Sequence, residues 1–137
     1  MSDFESVGEF NKKFGLPVAG EFLPQRIDDQ TFLYRYQHLQ EELSELLKAH
    51  RAGDVVGVAD ALADLVYVAL GTAHFYGIPF DEVFIEVQRA NMAKERATSE
   101  TDPRSKRGSK LDIVKPEGWK PSDIRGILTW FIMNRKG

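Results

Sequence analysis

Two short runs of acidic residues carry the chemistry that is most readily read from this sequence. Glu41, Glu42 and Glu45 lie in the run EELSEL, and Asp60 and Asp64 lie in the run DALADL. Aspartate is a poor helix former, like charges four residues apart on a helix repel each other, and burying an unpaired carboxylate is costly. Carboxylates retained among leucines and alanines therefore indicate a cationic ligand.

A site built only from oxygen ligands suits a hard divalent cation. Mg²⁺ is expected, with Mn²⁺ as a substitute, because both prefer carboxylate and water, and bound Mg²⁺ is commonly shared with phosphate groups. A di-iron site in a helical bundle would need the spacing Glu-x-x-His, and no glutamate precedes any of the three histidines by three positions. For Glu42 taken alone, an ordinary boundary residue paired with Arg35 or Lys48 is an alternative.

Helical periodicity places these acids on two long helices, predicted over residues 29–51 and 54–76. The first is amphipathic, and the second is apolar on nearly every side, as in the centre of a bundle or in an oligomer interface. A third helix is predicted from residue 79 to about residue 97, and shorter helices over residues 3–14 and 122–133, the last capped by Ser122. No strand pair is predicted.

The length of 137 residues indicates one all-α domain, with core helices at about 29–97 and a C-terminal loop and short helix at about 98–137. The absence of cysteine excludes disulfides and thiolate zinc sites. No export signal or membrane span is expected, so we expect a cytoplasmic protein, in the host cytoplasm if a phage encodes it.

The charge balance gives no general attraction for nucleic acid, since the net charge is -3 and the pI is about 5.6. Positive charge is nevertheless concentrated late in the chain. This basic segment is interpreted either as a solvated loop or as an anion-binding region. It contains Arg104, Lys106, Arg107, Lys110, Lys115 and Lys120.

The order of these motifs resembles a known superfamily. The stretch EELSELLKAHRAGDVVGVADALADLVYVALGTAHFYGI, followed by EVQRANMAK and KPEGW, is similar to the all-α nucleoside triphosphate pyrophosphohydrolases, the MazG-like group that includes phosphoribosyl-ATP pyrophosphohydrolases. The resemblance implies a helical bundle completed by oligomerisation, as a homodimer or homotetramer. It also implies Mg²⁺-dependent hydrolysis of a nucleoside triphosphate to a monophosphate and pyrophosphate.

The resemblance further implies the metal ligands. The E-x-x-E pair of the superfamily corresponds to Glu42 and Glu45. Its second motif, E-x-x-D, is met only in part: Asp64 matches the aspartate, Ala61 stands at the position of the usual glutamate, and Asp60 precedes it. Whether Asp60 replaces the missing glutamate is left open by the sequence.

The remaining roles follow from the same resemblance. Glu41 or Glu45 would accept the proton of the attacking water, and Lys94 would stabilise the departing pyrophosphate. Substrate contacts are implied for Asn91, Lys94, Lys110, Lys115 and Trp119.

Three alternatives remain. The substrate could be phosphoribosyl-ATP. The chain could instead be a catalytically silent nucleotide-binding or assembly module, because its second motif diverges from the family pattern. A purely structural helical protein would show no thermal stabilisation by Mg²⁺ or nucleotide.

Overall fold

The structure is a computed structural model that describes residues 1–135, so the last two positions of the predicted domain lie outside the described residues. It is an all-α fold with one very short antiparallel ribbon, as the sequence predicts apart from that ribbon. The elements are α1 (Asp3–Lys13), α2 (Asp29–Arg51), α3 (Val55–Phe75), α4 (Phe80–Met92), β1 (Glu95–Arg96), β2 (Ile113–Val114) and α5 (Ile124–Arg135).

The two helices that carry the acidic runs begin where the sequence predicts. The carboxylate of Asp28 accepts a hydrogen bond from the backbone N–H of Thr31, and the carboxylate of Asp54 accepts one from Gly57. Between the helices, Gly53 has φ +65°, a conformation that favours glycine, and it allows the chain to reverse within a few residues. The helices α2 and α3 consequently form an antiparallel hairpin, and the contact between them is the most extensive between elements of the described chain.

The helix α1 also packs on α3 and closes a small core. Phe4 and Val7 of α1 lie against Leu70 and Ala73 of α3. The buried ring of His74 stacks on Phe4, with the ring centroids 3.8 Å apart. This packing confirms the prediction of a short N-terminal helix and fixes α1 on the C-terminal half of α3.

The predicted third helix is too long, because α4 ends at Met92 instead of about residue 97. The indole Nε1–H of Trp119 donates to the carbonyl of Ala90 at 2.7 Å, so a distant residue binds a carbonyl of the last helical turn. Glu95 and Arg96 then pair with Val114 and Ile113 in the ribbon β1–β2. The expectation of no strand pair was therefore wrong over these four residues.

The last helix is present, but its cap differs from the prediction. The side chain of Asp123 accepts a hydrogen bond from the backbone N–H of Gly126, which places Asp123 at the capping position instead of Ser122. The helix α5 packs on α4.

Much of the apolar surface of the α2–α3 hairpin is exposed in the described chain. Within the described chain, α3 is the one helix that is long and apolar enough to cross a membrane by length and composition, and 22% of that stretch is buried. It also carries Asp60 and Asp64 and packs against α1 and α2. Large apolar residues exposed on these two helices include Phe32, Tyr36, Leu43, Leu47, Leu62 and Val66.

Candidate functional site

The α2–α3 hairpin brings the two acidic runs to one cleft. Glu42 and Glu45 from α2 and Asp60 and Asp64 from α3 line a cleft of about 230 Å³, which we call the acidic cleft. Residues three or four apart lie on the same face of a helix, and for these two pairs that face is the one turned toward the neighbouring helix. Glu41 is exposed and is not among the residues that line the cleft.

Few cations in the described chain neutralise these carboxylates. Glu42 lies 3.6 Å from the Nε2 atom of His38, and in residues 1–135 Glu45, Asp60 and Asp64 form no ion pair. Lys48 lines the cleft without an ion pair in that range. The acidic cleft therefore has an excess of negative charge.

Arg35, considered above as a partner for Glu42, has a different role. Its buried guanidinium donates to the Thr72 hydroxyl at 3.0 Å and to the Val68 carbonyl at 2.9 Å, and it lies 4.7 Å from the ring centroid of Phe75. Burial lowers the pKa of Arg35, because removal from water disfavours its charge. Arg35 therefore joins α2 to α3 and does not neutralise the acidic cleft.

The donor set of the acidic cleft suits Mg²⁺ in its chemistry. All four predicted ligands offer carboxylate oxygens. Within residues 1–135, no three His, Asp or Glu side chains are grouped closely enough to enclose a metal ion. Mg²⁺ usually retains several of its waters, so carboxylates that line an open cleft without enclosing an ion suit it better than an ion that requires a closed protein cage.

Ala61 lies in the same cleft, 3% exposed, next to Asp60. A glutamate at this position would be directed into the cleft, which agrees with the place it holds in the superfamily pattern. Alanine removes that donor and leaves two aspartates with short side chains on the α3 side.

Two charged residues of the cleft wall were not among the predicted site residues. Lys48 and Asp54 line the acidic cleft. Asp54 is engaged as the cap of α3, since its carboxylate accepts from Gly57 at 2.9 Å. Their spacing gives the one sequence signal that could have identified them: Lys48 follows Glu45 by three residues, and Asp54 precedes the second acidic run.

The predicted substrate-binding residues lie elsewhere, around the end of α4 and the ribbon. Asn91 and Lys94 line a cleft of about 780 Å³ there. The ammonium groups of Lys94 and Lys115 lie 5.2 Å and 4.9 Å from the ring centroid of Trp119. Lys110 contributes its backbone carbonyl, which accepts from Arg96 at 3.0 Å. None of these residues lines the acidic cleft.

The segment between the two strands is organised by two buried carboxylates. Asp102 accepts hydrogen bonds from Thr98 and from the side chain and backbone of Arg104, and the guanidinium holds the pKa of Asp102 far below its usual range. Asp112 accepts from Ser105 and Arg107, and these hydrogen bonds, that of Ser105 foremost, lower its pKa. The basic segment is thus tied to a defined scaffold, which a solvated loop would lack.

Comparison with known proteins adds a family and a viral relative. The family described as phosphoribosyl-ATP pyrophosphohydrolase matches residues 7–91, which include all four residues of the acidic cleft predicted as ligands. An uncharacterized protein of Acanthamoeba polyphaga mimivirus is 33% identical over 82 residues, which is 58% of this chain and 33% of the viral protein. The chain thus spans about a third of the length of that relative.

Proposed function

Because this chain belongs to the phosphoribosyl-ATP pyrophosphohydrolase family, we propose that it hydrolyses a nucleoside triphosphate between the α and β phosphates. The products are a nucleoside monophosphate and pyrophosphate. The observation that supports this most strongly is the meeting of four carboxylates from α2 and α3 in one cleft. Such a cleft repels a phosphate by itself and attracts a divalent cation that a triphosphate also binds.

In this proposal, Mg²⁺, with Mn²⁺ as a substitute, is held by Glu42, Glu45, Asp60 and Asp64. When bound, the ion would neutralise phosphate charge and would lower the pKa of a water molecule that it binds. The four carboxylates differ in accessibility, since Glu42 and Asp64 are half-buried whereas Glu45 and Asp60 are exposed. The half-buried pair is expected to contribute most to affinity, because its charges are less screened by water.

A carboxylate beside the cleft removes the proton in this mechanism. Water oxygen bonds to the α phosphorus, the bond from that phosphorus to the bridging oxygen breaks, and the proton of the water passes to a glutamate. Glu41 is exposed next to Glu42 and is free to act as this base; Glu45 is the alternative within the cleft.

Positive charge for the phosphates comes from a separate part of the chain. We assign Asn91 and Lys94 to the phosphates, with Lys94 stabilising the departing pyrophosphate. Lys110, Lys115 and Trp119 are proposed as further substrate contacts. Trp119 is held by its hydrogen bond to Ala90 and lies against two lysines, so it supports those cations.

We further propose that a second copy of the chain completes the site. The exposed apolar residues of α2 and α3 need burial, and a homodimer or homotetramer that joins two such hairpins forms a four-helix core. Within one protomer the acidic cleft has none of the predicted phosphate-binding residues in its wall. Pairing of hairpins offers a route by which the α4 end of one copy reaches the acidic cleft of the other.

Two alternative functions each have an observation in their favour. Phosphoribosyl-ATP as substrate is favoured by the description of the matching family. A silent nucleotide-binding module is favoured by Ala61, because this position lines the acidic cleft and supplies no ligand.

The experiment is a measurement of pyrophosphate release from the ribo- and deoxyribonucleoside triphosphates and from phosphoribosyl-ATP, with Mg²⁺ and with a chelator. The variants are Glu45→Gln and Asp64→Asn, and Glu9→Gln is the matched control, since Glu9 is exposed on α1 and away from the acidic cleft. We expect Mg²⁺-dependent release that both site variants reduce at least a hundredfold and the control leaves unchanged. Binding without release would identify the silent module, and equal release by all variants would refute the site.

A further inference from the structure

A second charged cleft lies outside the region that matches the family. It has a volume of about 440 Å³ and lies between the ribbon and the loop that joins its strands. Five cationic side chains and one carboxylate are in its wall, although the whole chain has a net charge of -3. We call it the basic cleft; its charged residues are Lys94, Arg104, Lys106, Arg107, Lys115 and Asp112.

The two arginines are positioned by buried carboxylates. The side chain of Asp102 is 2% exposed and pairs with Arg104, and that of Asp112 is 6% exposed and pairs with Arg107. Arg104 also pairs with Glu95 on β1. Each ion pair restricts a long side chain, so a ligand that binds here meets partly ordered arginines, Arg104 with two ion pairs and Arg107 with one.

The three lysines of the basic cleft retain uncompensated charge. In the described part of the chain, Lys94, Lys106 and Lys115 form no ion pair. Lys94 and Lys115 lie against the ring of Trp119, which holds both side chains near one another. Lys106 is exposed on the loop. Three unpaired ammonium groups around one cleft raise the local potential for a ligand with several negative charges.

We propose that the basic cleft binds a linear polyphosphate group directly, without a divalent cation. Phosphate oxygens accept charge-assisted hydrogen bonds from guanidinium and ammonium groups, and a chain of phosphates can contact several of them at once. The proposal goes beyond the hydrolysis proposed above, since it requires neither the carboxylates of the acidic cleft nor catalysis. It gives Arg104, Lys106 and Arg107 a binding role.

Calorimetric titration of the full chain with inorganic tripolyphosphate in the presence of EDTA tests this proposal. The Asp64→Asn background is used throughout, so that hydrolysis and residual metal at the acidic cleft do not contribute. Into it are introduced Lys106→Ala, Lys106→Glu and the control Lys12→Ala, which removes an exposed lysine of α1 that lies away from the basic cleft. Lys106 is exposed and has no hydrogen bond or ion pair within the described chain, so its replacement should leave folding unchanged, as circular dichroism would check.

The expected result is saturable binding that Lys106→Ala weakens about three- to tenfold and Lys106→Glu weakens more than tenfold, with Lys12→Ala unchanged. Titration with pyrophosphate, ATP and AMP then separates the sources of the ligand: preference for ATP points to substrate, and preference for pyrophosphate points to product. No binding without metal, equal binding by all three variants, or equally tight binding of sulfate would overturn the proposal. Lys94 and Lys115 of the basic cleft are shared with the function proposed above, whereas Lys106 is not. Because metal is absent and only Lys106 is varied, failure here overturns the role of the basic cleft, and the hydrolysis at the acidic cleft is decided separately by the pyrophosphate-release assay.

Discussion

Replacement of His74 by leucine should destabilise the protein through the loss of two hydrogen bonds. The Nδ1 atom of His74 accepts from the backbone N–H of Ala19 at 2.9 Å, and its Nε2 atom lies 2.8 Å from the carbonyl of Phe4. Since Nδ1 accepts, the proton resides on Nε2 and is donated to Phe4. The ring therefore joins α3 to the N-terminal helix and to the segment that follows it.

The expected loss follows from these contacts. A buried backbone group left without a partner costs about 1–3 kcal/mol. His74→Leu leaves two backbone groups without their partner, the buried carbonyl of Phe4 and the partly buried N–H of Ala19, so the free energy of unfolding should fall by about 2–6 kcal/mol at most. For a chain of this size that corresponds to a decrease in Tm of roughly 10 °C or more. Loss of the stack on Phe4 adds about 0.5–1.5 kcal/mol.

The pH dependence of the free energy of unfolding provides an independent test of this role of His74. Burial lowers the pKa of His74 from its ordinary value of 6.5, because desolvation disfavours the imidazolium, and the Phe4 carbonyl and Asp81 only partly oppose this. Below about pH 6.5, His74 is protonated in the unfolded chain but remains largely neutral in the folded chain. The stabilisation by neutral His74 is therefore present above that pH and is lost as the pH falls. The stability difference between wild type and His74→Leu should therefore narrow between pH 7.5 and pH 5.

Urea unfolding at several pH values, followed by circular dichroism, measures both effects. His50→Gln is the control, because His50 is exposed on α2, and its replacement should leave the stability at pH 7.5 unchanged. A His74→Leu protein as stable as wild type at pH 7.5, or a difference that is constant with pH, would refute this account of His74.

Three further predictions concern contacts between elements. Gly71→Ala places a methyl 2.7 Å from the Nη2 atom of Arg35 and should displace the guanidinium from its hydrogen bonds to α3. The loss of these bonds should lower the free energy of unfolding by about 1–3 kcal/mol, despite the better helix propensity of alanine. Urea unfolding would measure the change. Trp119→Phe removes the bond that ends α4, so the amides after Met92 should exchange faster with deuterium while Tm falls only slightly. Asp102→Asn removes the charge that holds Arg104, and limited trypsin digestion should then cleave the loop several times faster.

The positions of α2 and α3 could be predicted because their determinants are local. Asp28 and Asp54 cap the two helices, and each accepts a hydrogen bond from the backbone N–H three residues further along the chain. The acidic residues also recur at the spacing of helical turns. The arrangement of four carboxylates in one cleft then follows from a short hairpin between two helices. No assembly of distant segments is needed to bring them together.

The end of α4 and the role of Arg35 could not be predicted, because both depend on residues far along the chain. Trp119 contacts Ala90 across 29 residues, and Arg35 contacts Val68 across 33. The sequence suggested that Glu42 could pair with Arg35, whereas in the structure the guanidinium binds Thr72 and Val68, further along α3 than the acidic cleft. The organisation of the loop by Asp102 and Asp112 was missed for a related reason. A segment rich in glycine, proline and charged residues is predicted to be a solvated loop, and its composition does not reveal that two of its aspartates are buried.

Titration with Mn²⁺ followed by electron paramagnetic resonance tests the central claim most directly, since it reads metal binding at the acidic cleft without catalysis. Wild type and Glu9→Gln should bind Mn²⁺ saturably and release it to excess Mg²⁺, whereas Glu45→Gln and Asp64→Asn should each bind at least tenfold more weakly with unchanged helical content. The same affinity in all four proteins would contradict the assignment of the carboxylates as metal ligands.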